Sequence, residues 1–348
     1  MPVYKDEKTK KFYFSVRYKD TFGQNKRKVK RGFERKKDAK LAEAEFVQKV
    51  KYGYSDSQTF ETIFYDRLKS ANLSRSSIEK RTMEYNLYIK DRFGNMPIGK
   101  ITTDQCRELR NNILHDYNLS LSTARSVWSG FKAVMNYALK YYKLMYNPTL
   151  PVEPIPRAKA RVDYITRETF DAKVENMENE TFKNLTKLLF YSGLRVGEAL
   201  ALKWSDYDEN KGELNINKTL NLQHREIKNT VKTDSSAGIV PLPNHIRQML
   251  NEMYEDKRKH IKYFNDELFI FGNYETINYA TYVFNFKKVF PDIRIHTLRH
   301  SYASYLINNG VDMYVLMELM RHSNITETIQ TYSHLYTNKK HDAMNIFN

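Results

Sequence analysis

Near its middle the chain reads NPTLPVEPIPRAKAR (residues 147–161), with four of its nine prolines between 148 and 156. Proline holds φ at about −65° and has no amide hydrogen, so neither a helix nor a central strand can run through this stretch. The chain must divide here, with an extended, semi-rigid connector between the parts. At 348 residues there is enough chain for two or three domains, each with its own core.

Upstream of that connector the composition changes once more. Residues 1–50 hold sixteen Lys and Arg against seven Asp and Glu, more than half of the +16 charge of the whole chain. Phe12, Phe14, Val16 and Tyr18 alternate with Tyr13, Ser15, Arg17 and Lys19, the period of a half-buried strand. Residues 21–25 read as a turn, and KRKVKRGF resumes as a second charged strand. Residues 36–50 then have Ala39, Ala42, Phe46 and Val50 at helical spacing. A small sheet with a cationic face, backed by one helix, suits insertion in a DNA groove, with Arg17, Lys19, Lys26, Lys28 and Lys30 as expected contacts. The plainer alternative is a solvated basic surface. Residues 53–57 look like a linker, and residues 58–146 are mostly helical. There, Ser76 with Glu79 reads as a capping box for a helix running to about Arg92, Thr103-Asp104 opens another helix, and residues 121–142 form a long third. These helices show core stripes and no chemistry.

A surplus of positive charge this large points to a polyanion, either nucleic acid or an acidic membrane surface. No run approaches 18 apolar residues, so no membrane span is expected. The N-terminus has no apolar stretch behind its charges and does not read as a signal peptide. A single cysteine, Cys106, excludes an intramolecular disulfide and a Cys-based metal cage. The expected compartment is the cytoplasm.

Beyond the prolines, polar residues suited to phosphate chemistry recur. In YSGLRVGEALALKW, Ser192-Gly193 ends one helix and a new one starts near Arg195 or Val196, which sets Arg195 where free amides favour an anion. Glu198, three residues on, lies on the same face and can hold the guanidinium, although such pairs are usually surface ion pairs worth little. Residues 213–220 alternate as a strand, and residues 230–242 read as a hairpin with Lys232 where it begins to turn. In HTLRHSYASYLINNGVDMYVLMELMRHSNITETIQTYSHLY, His296 and Arg299 lie one helical turn apart, followed by His322 and Tyr332. His296 and His300 are at i, i+4, but the zinc-protease signature needs Glu after the first His and Thr297 stands there, so no metal or other cofactor is expected. His300 is expected to pack or to bond locally. Tyr332 is one of 26 tyrosines, and nothing in its spacing alone separates it from its neighbours.

Arg195, Lys232, His296, Arg299, His322 and Tyr332, in this order, resemble the tyrosine recombinase (phage integrase) family over roughly residues 160–340. The first fifty residues resemble the arm-type DNA-binding domain of integrases from phages and conjugative transposons. The resemblance implies an α+β, multidomain fold: an arm domain (residues 1–52) of three small strands and a helix, a helical core-binding domain (58–147), a linker (148–161) and a mostly helical catalytic domain with β-hairpins (162–348). It implies Tyr332 as nucleophile, forming a 3′-phosphotyrosine, with Arg195 and Arg299 stabilising the charge on phosphorus. It further implies Lys232 as general acid to the 5′ oxygen, His296 as proton acceptor or phosphate ligand, and His322 as a phosphate hydrogen-bond donor. The implied partners are double-stranded DNA with arm-type and core-type attachment sites, a homotetramer on DNA, and an excisionase or DNA-bending protein.

Arg321 departs from the glycine usual before the second histidine, and the ten residues from His322 to Tyr332 are one more than in many members. Two alternatives stand beside the recombinase: a type IB topoisomerase-like nicking–closing enzyme and a non-catalytic DNA-binding regulator. The recombinase reading requires the phenol to reach a phosphorus between two guanidiniums; it has to be abandoned if Tyr332 is buried in a hydrophobic interior or stays far from Arg195 and Arg299 even in a DNA-bound assembly.

Overall fold

The structure, a computed structural model, describes residues 3–19, 25–51, 58–142, 144, 146–157, 163–229, 238–321, 329 and 332. The expected linker at residues 53–57 and the first strand of the expected hairpin at 230–233 lie outside them. The chain forms two compact units, Met1–Lys159 and Ala160–Asn348, dividing inside the proline-rich connector.

In the first unit, β1 (Val3–Lys5), β2 (Phe12–Lys19) and β3 (Asn25–Phe33) form an antiparallel sheet with β2 in the middle, followed by α1 (Lys36–Lys51). Strand alternation turns Phe14, Val16 and Tyr18 inward, where Phe14 and Tyr18 meet Phe46 of α1. The register sets Arg17 opposite Arg27 and Val16 opposite Lys28. The five expected DNA contacts therefore divide between two faces. Arg17 and Lys19 share the open face, whereas Lys26, Lys28 and Lys30 point to the α1 side, with Lys28 over the Phe46 ring and Lys30 over Phe33. The open face also carries Tyr4 stacked on Tyr13, Arg31 over the Tyr13 ring, and Arg27, whose Nε donates to Ser15 Oγ at 2.8 Å.

The same unit continues as α2 (Phe60–Ser70), α3 (Arg75–Tyr88), α4 (Lys90–Phe93), α5 (Thr103–Asn111) and α6 (Leu121–Tyr141). Ser74 caps α3 by accepting from the Ser77 amide, two residues before the expected capping box, and the helix breaks at Ile89 before α4. Phe60, Phe64, Tyr85, Trp128 and Phe131 stack at the centre of the core. The start of the proline-rich segment is not a free connector. Val152 and Ile155 are buried in this core, and Arg125 donates to the Ile155 carbonyl at 2.6 Å.

The second unit holds α7 (Arg167–Val174), α8 (Glu180–Ser192), α9 (Val196–Ala201), β4 (Tyr207–Asp208), β5 (Glu213–Ile216), β6 (Lys218–Asn221), β7 (Glu226–Asn229), β8 (Gly238–Pro241), α10 (Asn244–His260), α11 (Tyr279–Val289), α12 (Ile295–Asn308) and α13 (Met313–Met320). The expected strand over residues 213–220 is broken at Asn217 into β5 and β6. β8 pairs with β5, in the order β4-β5-β8, and β6 pairs with β7. Residues 239–241 pair along one edge with the distant strand β5, where Leu214 and Val240 sit opposite each other and both are fully buried. The α8 residues Leu185, Leu188, Leu189 and Phe190 run through the main core, where Phe190 stacks on Phe170 at 3.9 Å. Among the described residues no helix is long and apolar enough to cross a membrane.

Candidate active site

The site begins where α8 stops. Gly193 has φ +62°, in the left-handed region, and a Cβ there would lie 2.4 Å from the Tyr302 ring, so only glycine fits this stop. The tight turn places Arg195 at the head of α9, as expected from GLRVGE. Glu198 turns back from the first turn: Oε2 accepts from the Arg195 amide at 3.0 Å, and Oε1 accepts from Arg195 Nη1 at 2.9 Å. The Glu198 side chain is 5% exposed and that of Arg195 is 42% exposed. One edge of the guanidinium is held while the rest stays accessible.

Arg299 lies on the buried face of α12. Its Nη1 donates to the Gly193 carbonyl at 2.5 Å and its Nη2 donates to the Met320 carbonyl, joining the ends of α8 and α13. Burial first, and then the charge of Arg195, push this guanidinium down to about 9, with Glu198 opposing. It remains protonated at neutral pH. Arg299 is thus anchored to the Gly193 carbonyl, two residues before Arg195, and Glu198 pairs with Arg195 while its charge also acts on Arg299.

His296 opens to solvent one turn before Arg299. Packing first, then Arg299 and Arg195, hold its imidazole below the usual range, so it is mostly neutral and able to accept a proton. Its ring meets that of His300 edge to face, with centroids 4.8 Å apart.

Tyr332 does not stand open to a phosphate. It is 1% exposed and packs with Ala303, Ile307, Leu316 and Met320 between α12 and α13. Its hydroxyl lies 2.8 Å from Nδ1 of His300, so the expected local role of His300 is corrected to a contact across 32 residues. Burial, then His296 and Arg299, push the His300 imidazole down to about 4, so at neutral pH the ring is neutral and shares a single hydrogen with the phenol oxygen. The phenol is near enough for its charge to act on Arg299. The condition that counts against the nucleophile assignment is therefore met in part: the ring is sealed, while its hydroxyl points to polar groups at the edge of the site. Lys232 and His322 lie outside the described residues.

Arg321 escaped the sequence reading as a site residue. Its backbone is left-handed, and its buried guanidinium donates from Nη2 to Glu198 Oε2 at 2.5 Å. Its departure from glycine was the one visible signal.

Residues 164–339, half of the chain, match the model of the phage integrase family. The chain belongs to that family. Residues 2–50 match an arm DNA-binding domain, and residues 58–114 match the N-terminal SAM-like domain of phage integrases. As a family member, the chain is a tyrosine-type site-specific DNA recombinase.

Among its relatives is a XerC-like tyrosine recombinase of Caldanaerobacter subterraneus, 27% identical over 90% of this chain and 89% of the relative. The ICEBs1 integrase of Bacillus subtilis is 26% identical over 82% of each. In structure the chain is similar to the Tn1549 transposon integrase solved with circular intermediate DNA, with a TM-score of 0.68 and 18% identity over 84% of this chain and all of that one. It is also similar to lambda integrase solved as a tetramer on a Holliday junction, with a TM-score of 0.57 and 15% identity over 94% and 97%. Neither the regulator nor the nicking–closing alternative is favoured by these relatives.

Proposed function

We propose that this recombinase cleaves and rejoins DNA through Tyr332, to integrate and excise the mobile element that encodes it. The observation that carries the reading is that Arg299 bonds the Gly193 carbonyl, two residues before Arg195, and the carbonyl of Met320, against which Tyr332 packs. The Tyr332 oxygen attacks phosphorus and the bond to the 5′ oxygen breaks, leaving a 3′-phosphotyrosine and a 5′ hydroxyl. Arg195 and Arg299 stabilise the charge on the non-bridging oxygens at the transition state. Lys232 donates the proton to the departing 5′ oxygen, His296 accepts the phenolic proton or holds the phosphate, and His322 donates to a phosphate oxygen. The phosphodiester energy is kept in the covalent link, so the 5′ hydroxyl of another strand reverses the step without ATP.

Four copies on two duplexes are needed for exchange, as in the lambda integrase tetramer. The arm sheet and the helical domain supply further DNA contacts at arm-type and core-type sites, and an excisionase or DNA-bending protein sets direction. The reaction takes place on DNA in the cytoplasm.

The test uses duplexes spanning the ends of the encoding element, nicked beside the cleavage point so that the covalent product is trapped. Protein–DNA adduct that Tyr332→Phe abolishes, with recombinant product between two intact duplexes, is the expected result. Adduct without recombinant product moves the assignment to a nicking–closing enzyme. Adduct that survives Tyr332→Phe removes the nucleophile.

A further inference from the structure

We propose that Arg321 is a positioning residue of this site: by holding Glu198 from the far side, it leaves Arg195 free to face the phosphate. The inference rests on the reading of Arg195 as a phosphate ligand.

Arg321 follows α13 with φ +50°, a conformation that disfavours any side chain and that glycine adopts without strain. The turn itself therefore gives no reason for an arginine. The side chain runs inward past Gly238, where a Cβ would come within 2.9 Å of its Cδ, so the start of β8 leaves room for it. It ends 3% exposed, with Nη2 on Glu198 Oε2 and Nη1 on the Leu319 carbonyl at 3.3 Å. Among the described residues, its buried Nε has no hydrogen-bond partner. A guanidinium held so deeply does not reach a DNA phosphate. It acts through the carboxylate.

Glu198 divides its oxygens: Oε1 serves the Arg195 guanidinium, while Oε2 serves the Arg195 amide and Arg321. Without Arg321, a buried carboxylate would depend on Arg195 for compensation. It would then either draw in the second edge of that guanidinium or take up a proton. Each outcome misplaces the group meant for the substrate. Among the described residues, the charged groups that act on Glu198 are Arg195 at the head of its helix, Arg321 after α13 and Arg299 of α12, and Tyr302 of α12 acts on Arg321. Burial opposes ionisation of Glu198, but Arg321 and then Arg195 outweigh it and hold the carboxyl below its usual range.

The experiment measures single-turnover adduct formation on the nicked duplex, from pH 4 to 9, for the full chain. Arg321→Gly suits the left-handed backbone, and Arg321→Lys keeps a charge; melting temperatures show that each variant is folded. In Arg321→Gly the acid limb should move up by about one pH unit, a tenfold loss of rate on that limb, with Arg321→Lys restoring part of it. In a Glu198→Gln background, Arg321→Gly should produce no such shift. A wild-type chain that cleaves through Tyr332 while Arg321→Gly keeps both the wild-type rate and the wild-type profile overturns the assignment alone. A wild-type chain that forms no Tyr332 adduct overturns the reading of the site, and the assignment with it.

Discussion

The Tyr332 hydroxyl and His300 Nδ1 are 2.8 Å apart, at the edge of an apolar cluster that covers the tyrosine ring. On the proposed reading, the nucleophile is thus stored against α12 rather than presented. That reading requires the ring to leave this position for cleavage, and the bond to His300 is one of the contacts that must break.

Loss of that bond should expose the phenol. His300→Ala should increase the rate of nitration at Tyr332 several-fold, as read by mass spectrometry of the peptide that carries it. Because a neutral hydrogen bond contributes only about 1 kcal/mol, global stability should fall little. An unchanged nitration rate would show that apolar packing alone stores the ring.

His300 also makes a pH prediction. Its folded pKa, pushed down to about 4, lies below the ordinary 6.5, so acid favours the unfolded chain, which takes up the proton first. The stability tied to its neutral form is complete above pH 6.5 and is lost as pH falls toward 4. Denaturant unfolding at pH 7.5 and pH 5 should show a smaller acid loss in His300→Gln than in the wild type.

The two arginines should separate stability from chemistry. Arg195 is 42% exposed and pairs with Glu198, so Arg195→Ala should alter stability by about 1 kcal/mol or less while slowing cleavage on the order of 10²–10³-fold. Arg299 is buried and bonds the Gly193 and Met320 carbonyls, so Arg299→Ala should cost about 2–4 kcal/mol in addition to the rate. Thermal melts and single-turnover cleavage on the same preparations decide this.

On the arm sheet, register decides which cations share the open face, the face expected to meet DNA. Arg17, Arg27 and Arg31 share the open face with Tyr13, whereas Lys28 leans over Phe46. Replacing Arg27 or Arg31 by Ala should lower the salt dependence of DNA binding by about one unit of slope per lost phosphate contact. Lys28→Ala should leave that slope nearly unchanged. Binding titrations at several salt concentrations test the division.

What the residues disclosed in advance was local. Gly193, the start of α9 at Arg195 and the return of Glu198 fall within six positions, so helix stop, cap and spacing suffice to place them. The proline-rich division was equally plain, although apolar Val152 and Ile155 dock its first half on the helical core. The longer-range pairings were not legible. HTLRH contains two histidines, and helical periodicity cannot tell which of them meets a tyrosine 32 or 36 residues on. Arg321 and Glu198 are 123 residues apart and meet only because α13 ends over α9. In the arm, odd positions of β2 face odd positions of β3, a relation that depends on the turn between them. Taking Arg17 and Lys19 together with Lys26, Lys28 and Lys30 therefore crossed the sheet.

Recombination through Tyr332 requires that residue, and no other, to become joined to DNA. Trapped adduct from the nicked duplex, digested to nucleotide-bearing peptides and sequenced by mass spectrometry, should carry its nucleotide on Tyr332 alone, and none should form in Tyr332→Phe. A nucleotide on Tyr314 or Tyr336, or an undiminished yield from Tyr332→Phe, would contradict it.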